Sequence, residues 1–106
     1  MREATLLPIP EQTVNWVRYT GDNLDEIKDF CKDIKIYLAT DDSRELYMHE
    51  YGRIRVGDFI IYGYIDNYYY MKHYKIVSWK SFPNMVKEEI PVFLDEYRKW
   101  EEEIKG

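Results

Sequence analysis

The chain has 106 residues and a formal net charge of −5, with 45% apolar and 33% charged residues. These values are typical of one small soluble domain and exclude a two-domain protein, so we predict a single domain over residues 1–106. A chain of this size buries only about 60–65% of its surface on folding. We therefore expect its function to lie on the surface or in a shallow groove.

Cys31 is the chain's single cysteine. It excludes an intramolecular disulfide and a multi-cysteine zinc site, and it favours a reducing compartment. No stretch approaches the roughly 20 apolar residues of a membrane span. Residues 1–4 do not have the pattern of a signal peptide. The sequence therefore predicts a cytoplasmic protein without membrane contact.

The N-terminal residues predict an extended arm followed by a strand. Pro8 and Pro10 disfavour a helix in residues 1–12. Residues 13–19 alternate imperfectly and are rich in branched and aromatic side chains, which is typical of a strand. We expect this strand to open the folded part of the domain.

A short helix is predicted next, at about residues 23–32. Asn23 is followed three residues later by Glu26, which matches a capping box. The apolar side chains of this segment share one helical stripe. The stripe consists of Leu24, Ile27, Phe30 and Cys31.

Alternation of apolar and polar side chains predicts strands through the middle of the chain. At the turn of Gly57 and Asp58 we expect the Asp58 carboxylate to accept backbone hydrogen bonds and to launch the following strand. Residues 53–56 alternate charged and apolar side chains, and the predicted strands are residues 34–38, 45–49, 59–65 and 68–77.

The last two of these strands are predicted to form a hairpin around a two-residue turn at residues 66–67. This turn would pair Tyr64 with Tyr69 and would lay Tyr70 over Gly63. One face would then carry Ile60, Tyr62, Tyr64, Tyr69, Met71 and His73, and the other Phe59, Ile61, Gly63, Ile65, Tyr68, Tyr70, Lys72 and Tyr74.

A C-terminal helical extension is predicted over residues 84–105. Pro91 is placed well as a first helical residue, and one side of the segment is an apolar stripe. The helix either docks on the sheet of its own chain or reaches a second copy or a partner groove. The stripe consists of Phe93, Tyr97, Trp100 and Ile104.

These elements predict an α+β fold. It would contain one curled, mostly antiparallel sheet of about five strands, one short helix in the N-terminal half and one long C-terminal helix. Residues 13–80 would form the sheet-and-helix scaffold, and residues 84–105 the extension. We predict a monomer, with a homodimer through the C-terminal helix as the alternative.

The chain offers no recognisable catalytic pattern. His49 and His73 are separated by predicted strands, Cys31 lies on an apolar helix stripe, and the five glycines never cluster into a phosphate-binding loop. We therefore predict a protein without catalytic residues, metal site or cofactor. An uncharacterised enzyme is the remaining alternative.

Tyrosine is the unusual component of the composition, with eleven in the chain. Six of them fall between residues 62 and 74. A tyrosine ring packs well on a half-buried sheet, and it also makes a good binding surface at low entropic cost. Both interpretations remain open from the residues alone.

Charge indicates two kinds of partner. Residues 51–80 have a local balance of +3 among many aromatic residues, which suits a sheet that binds a nucleotide or single-stranded nucleic acid. Residues 84–106 have a balance of −3, which suits a basic protein surface. The cations of the first region are Arg53, Arg55, Lys72, Lys75 and Lys80.

Three segments resemble a family of short, uncharacterised phage and prophage proteins. Residues 19–30 are similar to a "tGeNleEvkeF" helix start, residues 56–63 to a "GDwIikG" strand, and residues 68–72 with Ile76 to a "fYpcK…F" strand. The resemblance covers about residues 13–80. The segment after Pro83 is additional to the family's pattern.

The resemblance implies a function by association. Small phage proteins without enzymatic motifs are often inhibitors of host defence, including anti-CRISPR proteins. We therefore expect a phage-encoded, non-enzymatic protein that binds and blocks a host protein in the host cytoplasm, with a component of CRISPR-Cas or a related defence system as the expected target. A module that binds a nucleotide or single-stranded nucleic acid is the alternative. The candidate partner-binding residues are Tyr64, Tyr69, Tyr70, Tyr74, Trp100 and Glu101.

Overall fold

The computed structural model describes residues 2–5, 13–39, 44–65 and 71–86. These residues contain seven strands, one α-helix and one short 3₁₀ helix. In chain order they are β1 (Arg2–Thr5), β2 (Thr13–Arg18), α1 (Leu24–Phe30), β3 (Ile36–Leu38), β4 (Leu46–Met48), β5 (Gly52–Ile54), β6 (Phe59–Gly63), β7 (His73–Val77) and the 3₁₀ helix Phe82–Asn84.

The strands form two antiparallel sheets. The large sheet has the order β1-β2-β6-β7, and the small sheet has the order β3-β4-β5. The predicted single curled sheet is therefore wrong, and the described residues are mostly β. Strands β3 to β5 have three residues each and follow one another closely, so they pair locally, whereas β6 pairs with the distant β2. Alternation in a sequence shows which face of a strand is apolar but does not identify its neighbour.

The helix content also differs from the predicted α+β fold with a long C-terminal helix. The described part of the chain contains a single α-helix, α1, of seven residues, and no long helix. Residues 84–86 close the 3₁₀ helix and form a short bridge. Residues 87–105 of the predicted extension lie outside the described residues.

The extended N-terminal arm pairs as a strand where the structure describes it. Strand β1 lies antiparallel to β2, with Ala4 opposite Val14. Ala4 is buried, so this strand contributes to the core. Pro8 and Pro10 lie outside the described residues.

Strands β6 and β7 are paired as predicted, but in a different register. Gly63 lies opposite His73, not opposite Tyr70. Strand β6 ends at Gly63 and β7 begins at His73, and the predicted turn at residues 66–67 lies outside the described residues. The observed pairing of β7 with β6 is displaced from the predicted one by three residues, because Gly63 faces His73 and not Tyr70. An odd displacement moves each side chain to the other face of the sheet, so His73 and Tyr74 exchange the faces that the sequence predicted for them.

The large sheet buries apolar side chains on both of its faces. On one face, the segment around the 3₁₀ helix packs Phe82 against Phe59, with ring centroids 4.3 Å apart. On the other face lie α1 and the small sheet. The first core consists of Ala4, Val14, Trp16, Phe59, Ile61, Ile65, Val77, Phe82 and Val86, and the second of Val17, Tyr19, Ile27, Cys31, Ile36, Leu46, Met48, Ile54, Val56 and Ile60.

The turn before β6 connects the two sheets. Asp58 Oδ2 accepts a hydrogen bond from the backbone N–H of Arg55 at 3.0 Å, which confirms the predicted structural role of this carboxylate. Gly57, with a φ of 97°, donates its N–H to the Tyr19 carbonyl oxygen at 2.7 Å. Burial raises the pKa of the Asp58 carboxyl, and the backbone donors of Arg55 and Trp79 oppose that rise. The turn is thereby held to β5, to the end of β2 and to the segment before the 3₁₀ helix.

Candidate functional site

The side chain of Asn23 positions α1 on the large sheet. Its Oδ1 accepts the N–H of Thr20 at 2.8 Å, and its Nδ2 donates to the Arg18 carbonyl oxygen at 2.7 Å and to Glu26 Oε1 at 2.6 Å. The predicted capping box is therefore altered, because Glu26 contacts the Asn23 side chain and Asn23 makes no side-chain hydrogen bond to the helix backbone. The amide is used to hold the chain between β2 and α1.

The predicted apolar stripe of α1 packs into the second core. Ile27 and Cys31 are buried, and Leu24 and Phe30 are partly buried against the same core. The N-terminal part of the helix carries Asp25 and Glu26, which is favourable for the helix dipole. The prediction of this helix and of its buried side is confirmed.

Four aromatic side chains meet where α1, β6, β7 and the β4–β5 turn come together, and we call them the tyrosine cluster: Phe30, Tyr51, Tyr62 and Tyr74. Tyr74 lies at its centre, because its ring centroid is 4.5 Å from that of Tyr62, 6.0 Å from that of Phe30 and 6.2 Å from that of Tyr51. The separations and tilted or edge-on geometries are those of favourable aromatic pairs.

The hydroxyl of Tyr74 ties the cluster to α1. It donates a hydrogen bond to the Phe30 carbonyl oxygen at 3.2 Å. Burial, with smaller contributions from the nearby Cys31, Tyr62, Asp33 and Tyr51, raises the pKa of Tyr74 to about 12. Tyr74 is therefore protonated at neutral pH and acts as a donor, not as a base.

The exposed edge of this surface is formed by Tyr64 and its neighbours. Tyr64 is two residues beyond Tyr62, and 40% of its surface is exposed. Lys72 Nζ lies 5.7 Å from the centroid of the Tyr64 ring, in the range of a cation–π contact. Met71, which precedes β7, and Tyr51, in the β4–β5 turn, are also exposed.

An open groove of about 600 Å³ adjoins the tyrosine cluster. Phe30 belongs to both features, because it lines the groove and also contacts Tyr74. The volume falls within the range of small-molecule and peptide-anchor pockets. The described lining residues are Val17, Glu26, Asp29, Phe30 and Lys32.

The predicted partner-binding residues are brought together only in part. Tyr74 lies within the tyrosine cluster, and Tyr64 lies at its exposed edge. Tyr69, Tyr70, Trp100 and Glu101 lie outside the described residues. The assignment of these six residues to partner binding stays a prediction.

Sequence reasoning did not select Phe30, Tyr51 or Tyr62 as candidate site residues. Tyr62 was assigned to a predicted strand face, and the corrected register is what places it opposite Tyr74. Tyr51 lies in the turn between β4 and β5, which gave no periodic signal. Nothing in the order of residues indicated that this turn approaches β7.

A second aromatic surface lies on the outer side of the small sheet. Tyr37 and Tyr47 are opposite each other on β3 and β4, with ring centroids 5.3 Å apart. Beside them, Arg53 Nη1 lies 2.6 Å from Glu45 Oε2, and Arg55 Nε lies 3.8 Å from Glu45 Oε1. This surface combines the exposed Tyr37 ring and the partly buried Tyr47 ring with guanidinium groups.

The five basic residues of the region 51–80 do not share one surface. Arg53 and Arg55 accompany the small sheet, whereas Lys72 lies over Tyr64. Lys80 lies over Trp79, and Lys75 is paired with Ile61, on the side of the large sheet opposite Tyr74. The local charge of +3 is therefore dispersed over several faces.

Within the described residues, the titratable groups do not form a recognisable catalytic arrangement. Burial raises the pKa of the Cys31 thiol to about 12, so this group is not a thiolate nucleophile at neutral pH. The described His, Cys, Asp and Glu side chains include no group of three placed to hold a metal ion. No helix in the described ranges has the length and apolar character needed to cross a membrane.

No protein-family model, curated protein or solved structure matches this chain. The resemblance of residues 13–80 to phage and prophage proteins therefore stays a prediction. We therefore infer the function from the surfaces described above.

Proposed function

We propose that this chain is a phage-encoded, non-enzymatic protein that binds and inhibits a host protein through the tyrosine cluster and the adjoining Tyr64. The observation that carries the binding surface is the grouping of partly exposed tyrosines at one end of the large sheet. The phage origin, the inhibition and the choice of a host defence component are supported only by the sequence resemblance.

The cluster has the properties of an interaction surface. Tyrosine and tryptophan are enriched among the residues that dominate protein interfaces, because they bury a large ring while a polar tip finds a partner. Tyr74 and Tyr62 are held in place by ring contacts, so little side-chain entropy remains to be lost on binding. Tyr51 and Tyr64 expose their rings beside this fixed centre.

The proposal is tested by affinity capture from bacterial lysate, followed by purification of the captured protein and direct measurement of its Kd. We expect Tyr64→Ala and Tyr51→Ala each to weaken binding by about fivefold or more, since a truncated interface anchor costs over about 1 kcal/mol. The same variants should lose inhibition of the captured protein's activity in parallel.

Tyr37→Ala is the matched control, because Tyr37 is similarly exposed but belongs to the small sheet. Unchanged unfolding midpoints would show that all three variants fold. If Tyr37→Ala lowers the affinity while the other two variants bind normally, the tyrosine cluster is not the interface.

A nucleotide or single-stranded nucleic acid is the second candidate ligand. It is favoured by the tilted Tyr37–Tyr47 ring pair beside Arg53 and Arg55, since bases stack on aromatic rings and phosphates pair with guanidinium groups. A fluorescent oligothymidine tests this function. Salt-sensitive binding that Tyr37→Ala abolishes would support it, and the absence of binding at low salt would remove it.

A further inference from the structure

We propose that the groove beside α1 is the docking site for a basic segment of the partner protein, whose arginine or lysine side chains enter beside Phe30 and the carboxylates of Glu26 and Asp29. The inference rests on the proposed function, because it names the chemistry of the partner that the adjoining tyrosine cluster binds. The groove would add a second contact with the partner and a preference for basic segments, which the tyrosine cluster alone does not provide.

The helix presents the required groups on one side. Glu26, Asp29 and Phe30 are three and four residues apart, a spacing that places side chains next to one another on a helix. All three line the groove, together with Val17 of the large sheet. An entering side chain therefore meets an apolar floor, one aromatic ring and two carboxylates.

This combination suits a cation with an apolar stem. Arginine and lysine pack their methylene groups on apolar surface while the charged end reaches a polar partner. An aromatic ring attracts the same cation through its face. Glu26 is held by the Asn23 amide, so one of the two carboxylates is positioned before the partner arrives.

The charge around the groove favours a basic ligand over an acidic one. Residues 22–33 contain five acidic and two basic side chains, a balance of −3 within a chain of −5. Lys32 is the one cation among the described lining residues, and as an exposed, flexible side chain it can turn to solvent. An acidic or phosphate-bearing ligand would be repelled here, whereas a basic segment would be drawn in.

The groove is continuous with the surface assigned to the partner. Phe30 lines the groove, its ring lies 6.0 Å from that of Tyr74, and its carbonyl oxygen accepts a hydrogen bond from the Tyr74 hydroxyl. A partner seated on the tyrosine cluster is therefore next to the groove. We infer one interface with an aromatic part and an acidic part.

The test uses a short synthetic peptide of alternating arginine and leucine, titrated into the full chain and followed by NMR chemical shifts. We expect shifts at Val17, Asp29 and Phe30, with an affinity that falls as salt is added. Asp29→Lys should weaken binding by about tenfold, because it replaces an attraction with a repulsion. A peptide of alternating glutamate and leucine should not bind.

Asp25→Lys is the matched control. Asp25 is exposed on the same helix and gives the same change in net charge, but it is not among the residues that line the groove. If both variants weaken binding equally, the attraction is general and the groove inference fails. Shifts caused by an oligothymidine at the groove residues would also overturn it.

The two proposals fail in distinguishable ways. If Asp29→Lys leaves peptide binding unchanged while Tyr64→Ala still releases the captured partner, only the groove inference is lost. If the peptide binds as expected but Tyr51→Ala and Tyr64→Ala leave partner capture and inhibition intact, the groove recognises basic segments and the proposed tyrosine interface is wrong.

Discussion

Cys31 is the chain's single thiol, and only 1% of its surface is exposed. Its position on the buried side of α1 raises its pKa to about 12, since burial disfavours the charged thiolate. A buried cysteine of this kind behaves as a small apolar residue.

Burial of Cys31 should make the protein less stable in alkali. Between about pH 9 and the folded pKa of about 12, the unfolded thiol loses its proton while the folded thiol keeps it. The folded state then binds more protons, so the free energy of unfolding falls as the pH rises through this window. Its full contribution is present below about pH 9.

Urea unfolding of the parent and of Cys31→Ala at about pH 8 and about pH 10 measures this effect. We expect the parent to lose more stability than the variant between the two pH values. Burial also raises the pKa values of Tyr19 and Tyr74. Because the ordinary pKa of tyrosine, 10.0, is higher than that of cysteine, 9.0, these two groups lower the stability mainly above pH 10. Equal losses in both proteins would contradict the assignment.

At the scale of the elements, β2 and β6 approach closely at Gly63. A Cβ atom placed on Gly63 would lie 2.9 Å from Val14 Cγ1 and 3.0 Å from the Thr13 carbonyl oxygen. The sequence instead predicted that Gly63 is covered by Tyr70. The close approach that requires glycine at position 63 comes from Thr13 and Val14 of β2 and not from the predicted hairpin partner β7.

Gly63→Ala should therefore destabilise the large sheet. We expect a loss of about 1–3 kcal/mol, the usual cost of overpacking, measured by chemical denaturation. In a Val14→Ala background the added methyl group meets less obstruction, so Gly63→Ala should cost less there than in the parent. If the two costs are equal, contact with the Val14 side chain is not the cause.

The elements show how far sequence reasoning reaches in this chain. Helix α1 is predictable because its apolar stripe is local, and the turn at Asp58 is predictable because a carboxylate beside a glycine has a local role. The register of β7 is not, because nothing in the local pattern decides whether Gly63 lies opposite Tyr70 or opposite His73. The meeting of Tyr51 with Tyr74 joins turns and strands that are distant in sequence.

At the scale of the whole molecule, the large sheet lies between two cores. The stacked Phe82 and Phe59 belong to one core, and Ile27 and Cys31 belong to the other. Strand β6 contributes side chains to both cores, because Phe59 and Ile61 face the first core and Ile60 faces the second. Neither core is complete without this strand.

Phe82→Ala should therefore loosen both cores in a single transition. We expect a loss of about 3–5 kcal/mol from removing a buried aromatic ring. Fluorescence of Trp16, measured with Trp79 and Trp100 replaced by phenylalanine, reports the core that contains Phe82, and labelling of Cys31 by a thiol reagent reports the other core. The two signals should change at the same denaturant concentration, and Cys31 labelling in native buffer should accelerate.

Separate midpoints for the two signals would show that the cores unfold independently. Pro83→Ala is a suitable control, because Pro83 is exposed in the same 3₁₀ helix and its side chain is not part of the core. It should leave both signals close to those of the parent.

The central position of β6 also determines which residues of this protein can be substituted among natural variants. Four of its five residues are buried, and it pairs with β2 on one edge and β7 on the other. Natural variants should hence keep residues 59–63 nearly fixed, whereas exposed positions such as Asp25 should diverge freely. If selection favours a change in what this protein binds, substitutions can accumulate on the exposed side of α1 and in the β4–β5 turn while β6 stays unchanged.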